Sequence, residues 1–173
     1  MTLELQTERL ILRRPNRNDW LAYHDFMMSD RAIFFSSHGD LAKIWRSFTS
    51  EIGHWDMYDC GMWIITRHGD DLALGMTGPW LPPHWPEREI GWMIFASDVE
   101  GTGIAAEAAN AAVAHAFNTL GWDTAVSYID PDNTRSIALA QKLGASHDDT
   151  AVGPTIYPDT LVYRHPAPKG AAA

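Results

Sequence analysis

A helix rich in alanine that begins among glycines is the feature that most constrains how this chain can fold. The segment EGTGIAAEAANAAVAHAF, residues 100–117, follows the apolar segment EIGWMIF, residues 89–95. Its alanines keep one helix surface thin, so that the helix can lie close against a sheet. The first N–H groups of a helix have no partner inside it, and glycine lets a ligand approach the main chain closely. This junction predicts a strand–loop–helix unit that can hold an anion such as a phosphate.

Hydrophobic patterning predicts a mixed α/β chain with the element order β, α, α, β, β, β, α, β, α, β, β. Asp19 is expected to cap the first helix, and Gly121 and Gly144 are expected to end the last two. The length of 173 residues corresponds to one domain, residues 1–165, followed by a disordered Pro/Gly/Ala-rich tail, residues 166–173. The predicted strands are 9–13, 62–67, 72–80, 89–95, 124–130, 145–148 and 160–165, and the predicted helices are 20–28, 40–52, 103–120 and 134–143.

Composition excludes several classes of function. The chain has 22 acidic and 13 basic residues, and this balance argues against nucleic acid as a partner. Its one cysteine, Cys60, cannot form an internal disulfide, which favours a cytoplasmic protein and an inert thiol. No apolar run approaches the roughly 18 residues of a membrane span, and no signal peptide is recognisable, so we expect neither a membrane association nor secretion. The eight histidines lack metal-ligand spacing, so no metal site is expected.

Four segments resemble the GNAT family of N-acetyltransferases, in particular its RimJ/RimL-type branch, which acetylates ribosomal-protein N-termini and related amines. They are TERLILRRP, EIGWMI, GTGIAAEA and DPDNTRSIALAQKLGA. The resemblance spans about residues 7–165 and is weakest between 35 and 60. It implies the GNAT fold, an α/β (α+β) architecture with a mixed, mostly antiparallel sheet of six to seven strands. In that fold the two central strands splay apart and helices cover both faces of the sheet.

The resemblance also implies that acetyl-CoA is the co-substrate and that a primary amine, in a small molecule or at a protein N-terminus, accepts the acetyl group. It requires no metal and is compatible with a homodimer. Main-chain N–H groups of the glycine loop would cradle the CoA pyrophosphate, and the preceding strand would pair with the pantetheine. The residues implied to bind the co-substrate are Met93, Ile94, Phe95, Glu100, Gly101, Thr102, Gly103, Ile104, Ala105, Asn133 and Ser136.

This sequence departs from the family pattern at several functional positions. Asp98 stands where the family has Gln or Arg, and Glu100 adds a second carboxylate beside the expected pyrophosphate. Ala140 replaces a tyrosine that in many members protonates the leaving thiolate, so Ser136, Tyr128 or water would have to supply that proton. These departures leave an alternative function open, namely a catalytically weak CoA-binding or regulatory domain.

Direct attack of an amine on a thioester requires a base, and Glu89 is the first candidate. It opens the strand EIGWMIF and would face the same side as Gly91 and Met93. The alternative, equally weighted, is a solvated residue at a strand end that pairs with a neighbouring arginine. His84, in GPWLPPHWPER, is a second candidate for deprotonating the amine. Glu107 lies in a first helical turn, where a structural role at the helix dipole is favoured over catalysis.

Overall fold

The computed structural model describes residues 4–167, and this range forms a single eight-stranded sheet with four α-helices. The predicted disordered tail falls outside the described residues from position 168 onward. The strands are β1 (Leu5–Gln6), β2 (Leu10–Arg13), β3 (Trp63–Arg67), β4 (Asp70–Trp80), β5 (Glu89–Ile94), β6 (Val126–Ile129), β7 (Ser146–His147) and β8 (Leu161–Arg164). The helices are α1 (Trp20–Met27), α2 (Leu41–Tyr58), α3 (Ile104–Asn118) and α4 (Thr134–Lys142).

The strands lie in the order β1-β2-β3-β4-β5-β6-β8-β7, and every neighbouring pair is antiparallel except β5 with β6. The predicted order of elements and the mixed, mostly antiparallel sheet are confirmed. The eighth strand is β1, whose two residues are too few to give a recognisable alternation. Helix α2 extends to Tyr58, six residues beyond the predicted end at 52, and is followed by Asp59 in a left-handed conformation.

Helices cover both faces of the sheet because alternate strand residues point to opposite sides. Trp63 and Ile65 of β3 pack in the core beneath α3, whereas Ile64 between them packs beneath α1 and α2. The predicted thin face of α3 is confirmed, since four of its alanines are fully buried and the helix lies against β4 and β5. These alanines are Ala108, Ala109, Ala112 and Ala116.

The glycines expected to end α3 and α4 have the required backbone conformation. Gly121 has a φ of 66° and Gly144 a φ of 84°, both in the left-handed region that glycine tolerates best. The described residues contain no helix that is both long enough and apolar enough to cross a membrane.

Asp19 corrects the expectation that it caps α1. Its carboxylate makes no capping hydrogen bond to that helix. It instead accepts hydrogen bonds from the guanidinium of Arg13, at 2.7 and 2.9 Å, and from the main-chain N–H of Asn16 at 2.8 Å. The aspartate is only 3% exposed, so this ion pair joins β2 to the start of α1 inside the protein.

We predict that Asp19→Ala destabilises the fold by about 3 kcal/mol, because it removes the buried partner of the Arg13 guanidinium and leaves only an exposed one. Asp71 is the matched control, since it also pairs with Arg13 but its side chain is 72% exposed. Asp71→Ala should cost less than about 1 kcal/mol. Urea unfolding of the three proteins measures the difference, and equal costs for the two variants would contradict the buried role of Asp19.

Candidate active site

Strands β5 and β6 are paired only at their beginning. The parallel register contains a single pair, Glu89 with Val126, supported by a hydrogen bond of 3.0 Å from Val126 N–H to the carbonyl of Arg88. Beyond this point the strands separate, as the resemblance implied. Ser127 bridges the start of the gap by donating its hydroxyl to the carbonyl of Ile90 at 2.6 Å. The separation leaves a part of the β5 edge unpaired and available to another chain or ligand.

Two clefts meet at this separation. The glycine-loop groove, of about 430 Å³, is bordered by Glu100, Gly101, Gly103, Ala105 and Arg135. The Glu89 cleft, of about 240 Å³, is bordered by Glu51, Trp85, Glu89, Tyr128 and Tyr157. Both are also lined by a common set of residues, Phe34, Phe35, Trp92, Met93, Asn133 and Ser136. A molecule in the groove can therefore reach a second molecule in the cleft.

The glycine loop has the backbone that an anion-binding helix start requires. Gly101 and Gly103 have φ values of 75° and 85°, and Gly103 immediately precedes the first residue of α3. The N–H groups of the first helical turn lack intrahelical partners and lie at the positive end of the helix dipole. The N–H groups of Glu100 and Thr102 differ, because they already donate to Ser97 and Val99 within the loop.

Two residues of the turn that precedes β2 hold the glycine loop in place. Arg9 donates a hydrogen bond of 3.2 Å to the carbonyl of Thr102 and pairs with Glu107 at 2.6 Å. Glu107 also accepts hydrogen bonds from the Thr7 hydroxyl at 2.6 Å and the Arg9 N–H at 2.9 Å. The predicted structural role of Glu107 is confirmed by these contacts. Thr102 and Ile104 do not line the groove, since Ile104 is buried in the core beneath α3.

Glu100, the carboxylate that conflicted with a phosphate site, is neutralised by two arginines that the sequence reading missed. Arg135 of α4 donates to it at 2.8 Å, and Arg31 donates through its Nε at 2.9 Å and also through Nη2. Although burial opposes the charged form, the two guanidinium groups lower the pKa of Glu100. The groove therefore carries two guanidinium charges against one paired carboxylate.

Arg31 also reaches the edge of β5 that would pair with pantetheine. Its guanidinium donates to the carbonyls of Ile94 at 2.8 Å and Phe95 at 2.6 Å. The N–H of Phe95 is already bonded to Leu74 on the other side at 2.8 Å. Of the three strand residues implied to bind the co-substrate, Met93 and Ile94 line the groove, whereas the buried Phe95 side chain packs against Tyr23 and Phe26 of α1 and does not line it.

Asn133 and Ser136 lie together at the junction of the two clefts. The side chain of Asn133 caps α4 by accepting the N–H of Ser136 at 3.2 Å. The hydroxyl of Ser136 accepts the indole N–H of Trp92 at 3.2 Å. This second contact joins α4 to β5 across the gap, so that the position of the Ser136 hydroxyl is fixed by both elements.

Glu89 lies in the cleft and is not a solvated ion-pair residue. Its Oε2 accepts the indole N–H of Trp85 at 2.6 Å. Burial raises the pKa of Glu89 to about 7, although hydrogen bonds from Trp85 and the main chain of Tyr128 oppose the shift. A carboxylate with this pKa can accept a proton from an ammonium near neutral pH.

Glu51 of α2 faces the same cleft, and the sequence reading did not identify it. It is 4% exposed, and its Oε2 has no hydrogen-bond partner among the described residues. Burial, together with the nearby Glu89 carboxylate, raises the pKa of Glu51 to about 8. The signal was present in the sequence, because Ile44, Phe48, Glu51 and Trp55 follow the helical period that buries one face.

Two other candidates, His84 and Cys60, do not line either cleft. His84 is exposed, with its ring against that of Trp85 at 4.7 Å, and it does not line either cleft, which corrects its proposed part in deprotonating the amine. Cys60 is buried, and burial raises the pKa of its thiol to about 11, which agrees with the inert thiol expected from the sequence. The described residues contain no cluster of potential metal ligands.

A family model described as an acetyltransferase (GNAT) domain matches residues 9–146. The chain belongs to the GNAT acetyltransferase family. This GNAT chain is 37% identical to an acetyltransferase of Agrobacterium tumefaciens strain C58, with 96% of this chain and 95% of that one covered and a TM-score of 0.88. It is 28% identical, over 85% of its length and 87% of the relative's, to the Bacillus subtilis (strain 168) protein named "Uncharacterized protein YkkB".

The fold is also that of a ribosomal-protein-S5-alanine acetyltransferase from Vibrio fischeri, with a TM-score of 0.69 over 96% of this chain and 98% of that one. The identity of 13% makes this a likeness of fold alone. GNAT enzymes use acetyl-CoA, and the glycine-loop groove fits such a ligand, since a helix start with two left-handed glycines and two guanidinium groups suits its phosphates.

We predict that Glu100→Gln tightens the binding of CoA, because it removes a negative charge from the groove and frees Arg31 and Arg135 to meet a phosphate. Asp98→Asn is the matched control, since Asp98 is an exposed carboxylate in the same loop without these partners. Calorimetric titration with CoA at low and high salt measures both effects. Weaker binding by Glu100→Gln would show instead that Glu100 holds the arginines in their binding positions.

Proposed function

We propose that this enzyme transfers the acetyl group of acetyl-CoA to a primary amine, in a small molecule or at a protein N-terminus, by direct attack within a ternary complex. The observation that carries the proposal is the carboxyl group of Glu89, half-buried in a cleft that is continuous with the groove for the co-substrate. Acetyl-CoA supplies the reactive thioester. The residues of the chain bind, orient and deprotonate the amine.

Glu89 acts as the general base in this proposal. Amines have a pKa near 10 and enter as ammonium ions, which cannot attack a carbonyl carbon. The Glu89 carboxylate accepts one ammonium proton, and the neutral nitrogen then forms the C–N bond while the C–S bond breaks. As the amide forms, the nitrogen releases its second proton to the oxygen of Ser136, while the Ser136 hydroxyl gives its own proton to the leaving thiolate, so the serine stays neutral. Burial of both reactants in one cleft replaces a bimolecular encounter with an oriented contact.

Ser136 supplies the proton to the thiolate. Its hydroxyl uses a lone pair to accept the Trp92 N–H, so its own proton remains available for donation. Tyr128, the other candidate, lines only the Glu89 cleft, whereas Ser136 also borders the glycine-loop groove and is therefore better placed to meet the thiolate. Ser136 and Asn133 therefore form the end of the cleft that lies closest to the groove.

The alternative function, a CoA-binding domain with weak catalysis, rests on the carboxylates of Asp98 and Glu100 and on the absent tyrosine. The Glu100 charge is paired with Arg31 and Arg135, and the exposed Asp98 does not line the groove. The other support of the alternative is that Ala140 stands in place of a tyrosine. In our proposal, Ser136 supplies the proton that this tyrosine would give. Tight binding of CoA without acetylation of any amine would favour the alternative.

We predict that saturating acetyl-CoA raises the melting temperature, because the ligand binds the folded loop alone and adds about 2.7 kcal/mol at a hundredfold excess over its Kd. Gly103→Val should abolish the response, because its φ of 85° is unfavourable for valine and the loop must rearrange. Gly121→Val is the control. Gly121 also has a positive φ, of 66°, but it follows the C-terminal end of α3, whereas Gly103 precedes the first residue of that helix. It should lower stability and keep the response.

We predict that Glu89→Gln lowers turnover about 10²- to 10⁴-fold near neutral pH, because the amide cannot accept the ammonium proton. In the wild type, kcat should rise with pH through about 7, since the raised pKa of Glu89 leaves it protonated and inactive below that value. The deficit of the variant should shrink towards pH 10, where the amine is already neutral. Thiol release from acetyl-CoA measures both profiles.

Cys60→Ala is the control for a ping-pong route. Removal of the buried thiol should leave kcat unchanged. Acetylated Cys60 that reacts onward with an amine would contradict direct transfer, and full activity of Glu89→Gln would assign the base to water.

A further inference from the structure

The Glu89 cleft contains a buried acidic oxygen that the proposed reaction does not use. Glu51 reaches the cleft from α2, opposite the strand that carries Glu89, and its Oε2 finds no partner among residues 4–167. A buried polar atom without a hydrogen bond costs free energy unless a ligand or water satisfies it. The cleft thus has one carboxyl group for the base and a second that lacks a partner.

The carboxyl groups of the cleft have no basic neighbour along its walls. Glu51, Glu89 and Asp130 line it, and no lysine, arginine or histidine does so within the described part of the chain. The basic groups, Arg31, Arg135 and Lys142, lie on the other side of the β5–β6 gap in the glycine-loop groove. A cation that enters the Glu89 cleft therefore meets only acidic groups, and their ionisation beside it makes the cleft suited to a cation.

The walls of the cleft are aromatic. Trp85 contacts both Tyr128 and Tyr157 edge to face, with ring centroids 6.5 and 6.1 Å apart. The same tryptophan donates to Glu89. Aromatic faces attract organic ammonium groups and also pack against the methylenes between them. Two carboxyl groups and aromatic surface in one cleft match a short hydrocarbon chain that is charged at both ends.

A contact between two loops limits the size of the occupant. The hydroxyls of Ser36 and Tyr157 are hydrogen-bonded at 2.5 Å, and both side chains line the cleft. This contact joins the segment before α2 to the segment before β8. With the cleft volume of about 240 Å³, it favours a small molecule over a folded protein terminus.

We propose that the acceptor is a small aliphatic diamine, and that Glu51 is the specificity-determining residue that holds the ammonium group that is not acetylated. This inference rests on the proposed function, because Glu89 takes the proton from the other nitrogen. Glu51 does not touch the reacting atoms in this arrangement. It orients the acceptor by pairing with the distal cation, and the acetylated product loses the charge at the reacted end.

The protonation of Glu51 provides a second readout. Its raised pKa keeps the empty carboxyl largely protonated at pH 7, and an ammonium ion beside it favours the carboxylate, so binding of the diamine releases a proton. The other titratable groups that line the cleft with Glu51 are Glu89, Asp130 and the tyrosines Tyr23, Tyr128 and Tyr157. Glu89 is coupled to Glu51, so the release belongs to the pair and is assigned by the variants.

The experiment compares 1,4-diaminobutane, butylamine and an unmodified tripeptide as acceptors. The wild type should prefer the diamine to butylamine by about ten- to a hundredfold in kcat/KM, the range expected for one buried charged contact. Glu51→Gln should remove this preference by raising the KM for the diamine, while kcat with butylamine is retained. Glu51→Asp should restore part of the preference.

Asp56→Asn is the matched control, because Asp56 lies on the same helix but its side chain is 75% exposed and pairs with Arg14. It should keep the full preference. Calorimetry of diamine binding at pH 7 in two buffers of different ionisation enthalpy should show proton release by the wild type and by Asp56→Asn. Glu51→Gln should show less release or none.

The outcomes separate this inference from the function on which it rests. Equal kcat/KM for the diamine and butylamine in the wild type, or a tripeptide as the best acceptor, would overturn the diamine alone. A fall in kcat for every amine in Glu51→Gln, with KM unchanged, would assign Glu51 to proton transfer and also overturn it. Failure of the wild type to acetylate any of the three acceptors would overturn both the proposed function and the diamine.

Discussion

The early end of the pairing between β5 and β6 is the constraint on which the rest of the site depends. After Glu89 and Val126 the two strands separate, and hydrogen bonds from side chains on both sides bridge the gap and set its width. Ser127 bonds to Ile90 and accepts a hydrogen bond from His165 at 2.9 Å, while Ser136 accepts the indole N–H of Trp92. Burial lowers the pKa of His165 to about 4, so this imidazole is neutral near pH 7 and remains a hydrogen-bond donor to Ser127.

Charge is separated across this gap. The glycine-loop groove has the guanidinium groups of Arg31 and Arg135 and the dipole of α3, whereas the Glu89 cleft has carboxyl groups and aromatic rings. In the reaction that we propose, an anionic acyl donor and a cationic acceptor would each find a matching surface and would meet at Asn133 and Ser136. The net charge of −9 would favour the encounter with cations, whereas the positions of the individual charges would decide which side binds which substrate.

The element order and the glycine loop could be predicted because periodicity and local turn chemistry encode them, whereas the splay was implied by the resemblance to the GNAT family. The contacts of Arg31 and Glu51 could not be predicted, since both residues lie in the stretch before β3, whose distance from β5 depends on how α1 and α2 pack. The helical period of α2 places Glu51 on the buried face, but it does not say which residues that face meets. His84 was misplaced because proximity to Glu89 along the chain does not fix the direction of an exposed ring.

The absence of a tyrosine at Ala140 follows from packing. Ala140 is fully buried in a cluster with Ile129, Ala145 and Tyr163, where α4 lies against β6 and β8. A bulky phenol at this position would have to displace the helix from these strands. The same close contact brings Ser136, one turn earlier on α4, within hydrogen-bond distance of Trp92. The small residue that removes the usual acid is thus what allows a hydroxyl from the same helix to stand at the edge of the gap.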